Sequence, residues 1–258
     1  NRLIKYLLFV GAIKRSLKKY LIMESLQKNL WNLARKRGDY LLEKNSRHQY
    51  INEFNPDITV LDTDYREDLT DFDAGIGNEN FNVFLKKDVD EYRNEGNGVT
   101  YIIWNITYDE IIGETKDIVA YFTLAANAIP DIDRIKYEKE TSESGEYDEE
   151  NWGVPVLEIR MFAVNDKYQD VFYTYEEREL PVAAWCLLAI VNYANYMLNF
   201  VLGFKALFLH SVPDAELFYL KNGFQDMRIN MQPFANVDSD MRPMWLPLKD
   251  IHMNYETE

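Results

Sequence analysis

The sharpest periodicity in the chain lies at 156–164, where Leu157, Ile159, Met161 and Ala163 alternate with Glu158, Arg160 and Phe162. A period of two predicts a strand with one buried face, because successive side chains point to opposite sides of a sheet. On this pattern Glu158 and Arg160 share the side opposite the aliphatic residues. Shorter β-rich runs at 58–61, 101–107 and 118–125 predict three earlier strands, the last two joined as a hairpin through a loop containing Gly113. Later strands are expected at 206–210 and near 224–231 and 243–248.

Helical spacing occupies the intervals between these strands. Leu26, Leu30, Leu33, Ala34, Tyr40 and Leu41 give 24–50 a helical repeat, weakened at Gly38. A turn at 71–75 precedes a helix over 80–92, with Phe81, Phe84 and Leu85 on one side. The run 181–204 carries no charge and is long enough to cross a bilayer. Its Asn192, Asn195 and Asn199 fall three and four apart, on one helical face that lipid would not accept. A buried helix over about 181–198 is therefore expected, with Cys186 as core and no membrane span. A last helix over 212–222 has Ser211 as its expected N-cap, Pro213 and Asp214 in its first turn, and Gly223 as its stop.

Two stretches carry no period. Residues 165–180 are expected to be irregular. The insert at 135–152 is polar and acid-rich, a solvated loop to which no chemistry is assigned. The order of elements is helix, strands, then strand–helix–strand–helix–strand, an α/β or α+β single domain.

Composition narrows the function classes. With 47% hydrophobic residues, the 258-residue chain can bury a sizeable core. Its net charge of −15 disfavours broad nucleic-acid binding unless a local basic patch overrides it. Residues 1–22 hold Arg2, Lys5, Lys14, Arg15, Lys18 and Lys19 and no acid. They are expected to be a surface-seeking basic helix or an extension outside the fold, with Met23 as the start. One cysteine excludes an internal disulfide and fits a cytoplasmic setting. Three histidines far apart give a zinc site no support.

Phe218-Tyr219 on a helix that ends at Gly223-Phe224 resembles the last helix and strand of the GNAT N-acetyltransferase superfamily. The strand at 118–124, the strand at 157–164 with its exit at 165–169, and the opening pair 71–75 and 84–88 are similar to the same fold in the same order. The opening pair looks like that of a bacterial subgroup that includes toxins acetylating aminoacyl-tRNA. The resemblance implies a GNAT-like domain over 57–250, with a mixed, mostly antiparallel central sheet flanked by helices. An N-terminal helical segment at 23–56 would precede it.

It also implies transfer of an acetyl group from acetyl-CoA to an amine of a small molecule or protein, and it leaves a homodimer open. Acyl transfer needs a neutral amine, donors for the oxyanion and a proton for the departing thiolate. Carried over, the thiolate proton falls to Tyr219, and the backbone of Met161, Phe162, Ala163 and Val164 would hold the pantetheine arm. Glu158 is a candidate for the amine's proton, against an ordinary Glu158–Arg160 pairing, and His210 is a second candidate against a merely hydrogen-bonded histidine.

One family element is missing. The glycine-rich loop that wraps the CoA diphosphate has no counterpart, since no glycine occurs from 154 to 202. Gln169 could stand at its first position. Tyr168, Tyr173, Tyr175, Arg178 and the amides of Val182, Ala183 and Ala184 are the groups left to replace it. Two other readings stay open: a GNAT-like binding module without catalysis, and a toxin-like aminoacyl-tRNA acetyltransferase. The enzymatic readings all require a gap between the strands at 156–164 and 206–210.

Overall fold

The computed structural model describes residues 49–248 apart from 52, 63–66, 110, 112, 131–152, 176–177 and 228–240. The extension at 1–22, nearly all of the expected helix at 24–50 and the insert at 135–152 lie outside the described residues. Gln49 and Tyr50, expected to end that helix, instead open strand β1 (Gln49–Ile51). Pairing with a later strand outweighs helical spacing there.

β2 (Pro56–Val60) follows, then a 3-10 turn (Glu67–Asp71). Next comes a broken helix: α1 (Glu79–Val83), a π-helical turn (Phe84–Asp88) and α2 (Val89–Asn94). β3 (Val99–Asp109) and β4 (Gly113–Pro130) form the expected hairpin at nearly twice the expected length. β5 (Gly153–Val164) leads into a single turn, α3 (Asp166–Gln169).

The stretch expected to be irregular is ordered beyond that turn. β6 (Val171–Tyr175) and β7 (Arg178–Pro181) pair antiparallel, and β1 lies parallel to β6, giving a separate three-stranded sheet. It was hidden because the partner strand β1 is more than a hundred residues away in sequence. β7 runs directly into α4 (Val182–Phe200). β8 (Ala206–Ser211), a 3-10 turn (Pro213–Ala215), α5 (Glu216–Lys221), β9 (Gln225–Asp226) and β10 (Arg242–Pro247) complete the described order.

The main sheet has strand order β2-β3-β4-β5-β8-β10-β9, antiparallel throughout except between β5 and β8. On one side α4 and α5 pack over Leu157, Ile159, Leu207 and Leu209. On the other, the broken helix covers Ile102, Trp104 and Tyr121, and a smaller cluster forms around Val156, Phe208 and Met227. α4 passes the length and composition test for a membrane span, yet 61% of its apolar window is buried against the sheet. Cys186 at its centre is fully buried.

The ends of α5 differ from expectation in one respect. Ser211 is not the N-cap: it is the last residue of β8, and its hydroxyl donates to the Val212 carbonyl. Val212 occupies the position before the 3-10 turn. The other end is as expected. Gly223, at φ +95°, donates to the Leu220 carbonyl, and Phe224 donates to the Tyr219 carbonyl, the double closure of a Schellman motif.

Candidate active site

Two irregularities in β5 make a site. The first is a bulge. Met161 pairs with Thr123 of β4 and Ile159 pairs with Leu124, leaving Arg160 as the extra residue. An extra residue bends a strand and swaps the faces beyond it. Leu157 and Ile159 face α4, and so do Phe162 and Val164, whereas Met161 and Ala163 face the broken helix. The expected single aliphatic face of Leu157, Ile159, Met161 and Ala163 is thus corrected by the bulge.

The second is where the ladder stops. β5 and β8 pair only from Val156 opposite Ala206 to Ile159 opposite Leu209. Beyond that, β5 stays bonded to β4 through Val164, and β8 stays bonded to β10 through Ser211. The two central strands therefore part. On the side facing β8, alternate backbone groups of Met161, Phe162, Ala163 and Val164 have no ladder partner, as an antiparallel strand paired on one edge requires.

Tyr219 is held on the α4 side of this opening. Its ring stands edge-on to Phe218 and Phe224, at centroid distances of 5.3 and 5.5 Å. Phe218 in turn lies 6.4 Å from Phe162 of β5, which ties α5 to the free part of that strand. Burial pushes the Tyr219 phenol up, so it keeps its proton at neutral pH. Its hydroxyl has no hydrogen bond to a described residue, and it is not among the sealed, unpartnered atoms.

Polar chemistry gathers on the opposite side. Glu158 is 8% exposed. Its Oε2 accepts from Asn127 Nδ2 and from Arg160 Nε, each at 2.9 Å, and its Oε1 lies 3.8 Å from His210 Nδ1. Arg160 also donates to the Tyr92 hydroxyl at 3.1 Å. Burial pushes the Glu158 carboxyl up, but His210, the Arg160 charge and Asn127 outweigh it and hold it below its ordinary value. Asn127 and Tyr92 were not legible from sequence. They arrive through sheet register and helix packing, with no local signal of their own.

The groups expected to hold a diphosphate are placed differently from one another. Gln169 donates to the Ala74 and Val164 carbonyls, at 2.9 and 3.0 Å, so it fastens the 71–75 segment to the exit of β5. Asp166 adds a backbone bond to the Asp73 carbonyl, and Asn165 donates to the Ile118 carbonyl. Tyr168 donates to Asp117, and Tyr173 packs its ring on Phe54. Arg178 is placed by its backbone, opposite Tyr175 in the hairpin. Val182 and Ala184 are buried and Ala183 half-buried in the first turn of α4, which has no side-chain cap. A β-hairpin therefore stands where a glycine loop would. Among the described residues, no cluster of His, Cys, Asp and Glu is arranged to hold a metal ion.

A seven-stranded sheet with parting central strands, a helix on the β5–β8 crossover and a tyrosine helix after it is the GNAT fold. Solved structures agree. AtaT complexed with acetyl-methionyl-tRNAfMet is similar at 21% identity and a TM-score of 0.52, over 76% of this chain and 97% of that one. AtaTR bound with acetyl-CoA is similar at 20% identity and a TM-score of 0.53, over 76% and 96%. A Tyr-to-Phe mutant of KacT is similar at 18% identity and a TM-score of 0.52, over 76% and 96%. No protein-family model matches the chain, and no curated protein matches it in sequence.

Proposed function

We propose that this protein is an acetyl-CoA-dependent N-acetyltransferase whose acceptor is the α-amine of an aminoacyl-tRNA. The observation that carries the enzymatic reading is the parting of β5 and β8 beyond Ile159 and Leu209, with Tyr219, whose hydroxyl bonds no described residue, packed on the α4 side of the sheet. Support for the acceptor is that the similar structures include AtaT with acetyl-methionyl-tRNAfMet. The net charge of −15 works against a nucleic-acid substrate, so binding has to rely on local cations, of which 1–22 holds six and no acid.

The residues fit the thioester arm of the donor. The groups of Met161, Phe162, Ala163 and Val164 that face the open edge, apart from the Val164 carbonyl held by Gln169, can bond its amides, and Phe162 and Phe218 offer it an apolar wall. The diphosphate end has no glycine cradle; the uncapped first turn of α4 at Val182, Ala183 and Ala184 is the remaining backbone donor. When bound, the donor supplies an activated acetyl group. Tyr219 holds a proton for the departing sulfur, and the cluster around Glu158 lies where the amine would approach from the other side of the sheet.

The test is transfer of labelled acetyl from acetyl-CoA to a pool of charged tRNAs. Label retained on the amino acid after ester hydrolysis is the expected result. Transfer to simple amines but to no charged tRNA would remove the acceptor assignment. Absence of acetyl-CoA binding at millimolar concentration would remove the enzyme and favour a binding module, the reading that the β6–β7 hairpin supports.

A further inference from the structure

We infer that His210 is the base that takes the acceptor amine's proton and that Glu158 is the carboxylate that positions it. The inference rests on the acyltransferase reading and adds the residue that activates its acceptor. It follows from which side of the sheet each group occupies. Leu207 and Leu209 of β8 face α4 and α5, while Ala206 and Phe208 face the other way. By strand alternation His210 continues the second set, and Glu158 shares that side. Tyr219 lies across the sheet, in the core beneath α4 and α5. The opening between the strands is therefore flanked by a proton donor on one side and a histidine–carboxylate pair on the other.

Glu158 is itself poorly suited to take the proton. One oxygen is occupied by Asn127 and Arg160, and the carboxyl is held in its charged form. A carboxylate stabilised in that way is a weak base, whereas a neutral imidazole keeps one ring nitrogen with a free lone pair to accept a proton. Through Nδ1 the His210 ring lies 3.8 Å from Glu158 Oε1, within ion-pair reach and beyond hydrogen-bond length. It stands edge-on to Phe208 at a centroid distance of 4.9 Å, with Nδ1 turned toward Glu158 Oε1. Nε2 then remains for the substrate: no described residue bonds it, and it is not a sealed atom. Pro243 of β10 sits opposite His210 in the ladder and brings no charge. The next cation, Arg242, is paired with Glu216 at 3.3 Å, and Arg160 is spent on Glu158 and Tyr92. Among the described residues, Glu158 is thus the charged group that His210 faces.

In the step, the amine nitrogen bonds the acetyl carbon as that carbon's bond to sulfur breaks. The proton lost by nitrogen goes to His210 Nε2, and the sulfur takes the Tyr219 proton. Solvent then removes the proton from His210 and restores the one on Tyr219.

The experiment follows acetyl transfer to charged tRNAs across pH 5.5–9 for the wild type, His210→Gln, His210→Asn and Glu158→Gln, with acetyl-CoA binding and thermal melting measured on each. Both His210 variants are expected to bind acetyl-CoA as the wild type does and to lose about 10²-fold or more in kcat across the whole pH range. Glu158→Gln is expected to keep KM for acetyl-CoA while kcat falls by less than in the His210 variants, a split that a merely structural loss would not give. A folded His210 variant with the wild-type rate would overturn the assignment. A wild type that binds no acetyl-CoA would instead overturn the acyltransferase reading itself.

Discussion

Tyr219 and Glu158 show how much a single side chain's surroundings decide. Because the Tyr219 hydroxyl has no bond to a described residue, Tyr219→Phe removes a proton and little packing. Acetyl transfer should fall about 10²-fold or more while the melting temperature hardly changes, since the buried ring keeps its packing and loses only a hydroxyl that bonds no described residue. Melting curves and initial rates on one preparation check both halves. Glu158 has the opposite profile. Its folded carboxyl lies below its ordinary value, so its contribution to stability is present above the unfolded value and is lost as pH falls through the folded one. Glu158→Gln should therefore flatten the acid side of a melting-temperature curve between pH 6 and 3, and an unchanged slope would refute it. Both residues were legible as candidates from sequence. The Glu158–Arg160 pairing was legible too; what was not is that Asn127 meets Glu158, and Tyr92 meets Arg160, through the fold.

The strands and helices were legible to different degrees, for physical reasons. Strong alternation gave β5, and an uncharged apolar run gave α4. The bulge at Arg160 left no mark on that alternation, since Phe162 is as apolar as its neighbours and hides the swap of faces. The β6–β7 hairpin was missed because its pairing to β1 is invisible locally. Gly223 was read correctly, as only glycine adopts φ +95° without strain. Gly223→Ala should lower stability by about 1–2 kcal/mol, and it should reduce transfer further by loosening the turn that anchors Tyr219. Denaturant unfolding paired with rate measurements would show it; equal stability would contradict the Schellman closure.

Taken whole, the molecule is one sheet with two chemically distinct sides, joined by the opening between β5 and β8. The α4 side is dry and deep. Cys186 within it is fully buried, and burial pushes its thiol up. It should fail to react with a thiol reagent in the native protein and react with one equivalent on unfolding; rapid native labelling would mean that α4 separates from the sheet. The opposite side carries the Glu158–Arg160 ion pair, with His210 beside it.

The hairpin that feeds α4 bears on how the donor earns its affinity. Where a glycine loop would hold a diphosphate, this chain has the paired strands β6 and β7, the second ending at Pro181. A shortened donor such as acetyl-pantetheine should then rival the full nucleotide-bearing one, with KM values within about tenfold, or about 1.4 kcal/mol. The nucleotide would be tolerated cargo, and selectivity would reside in the thioester arm alone.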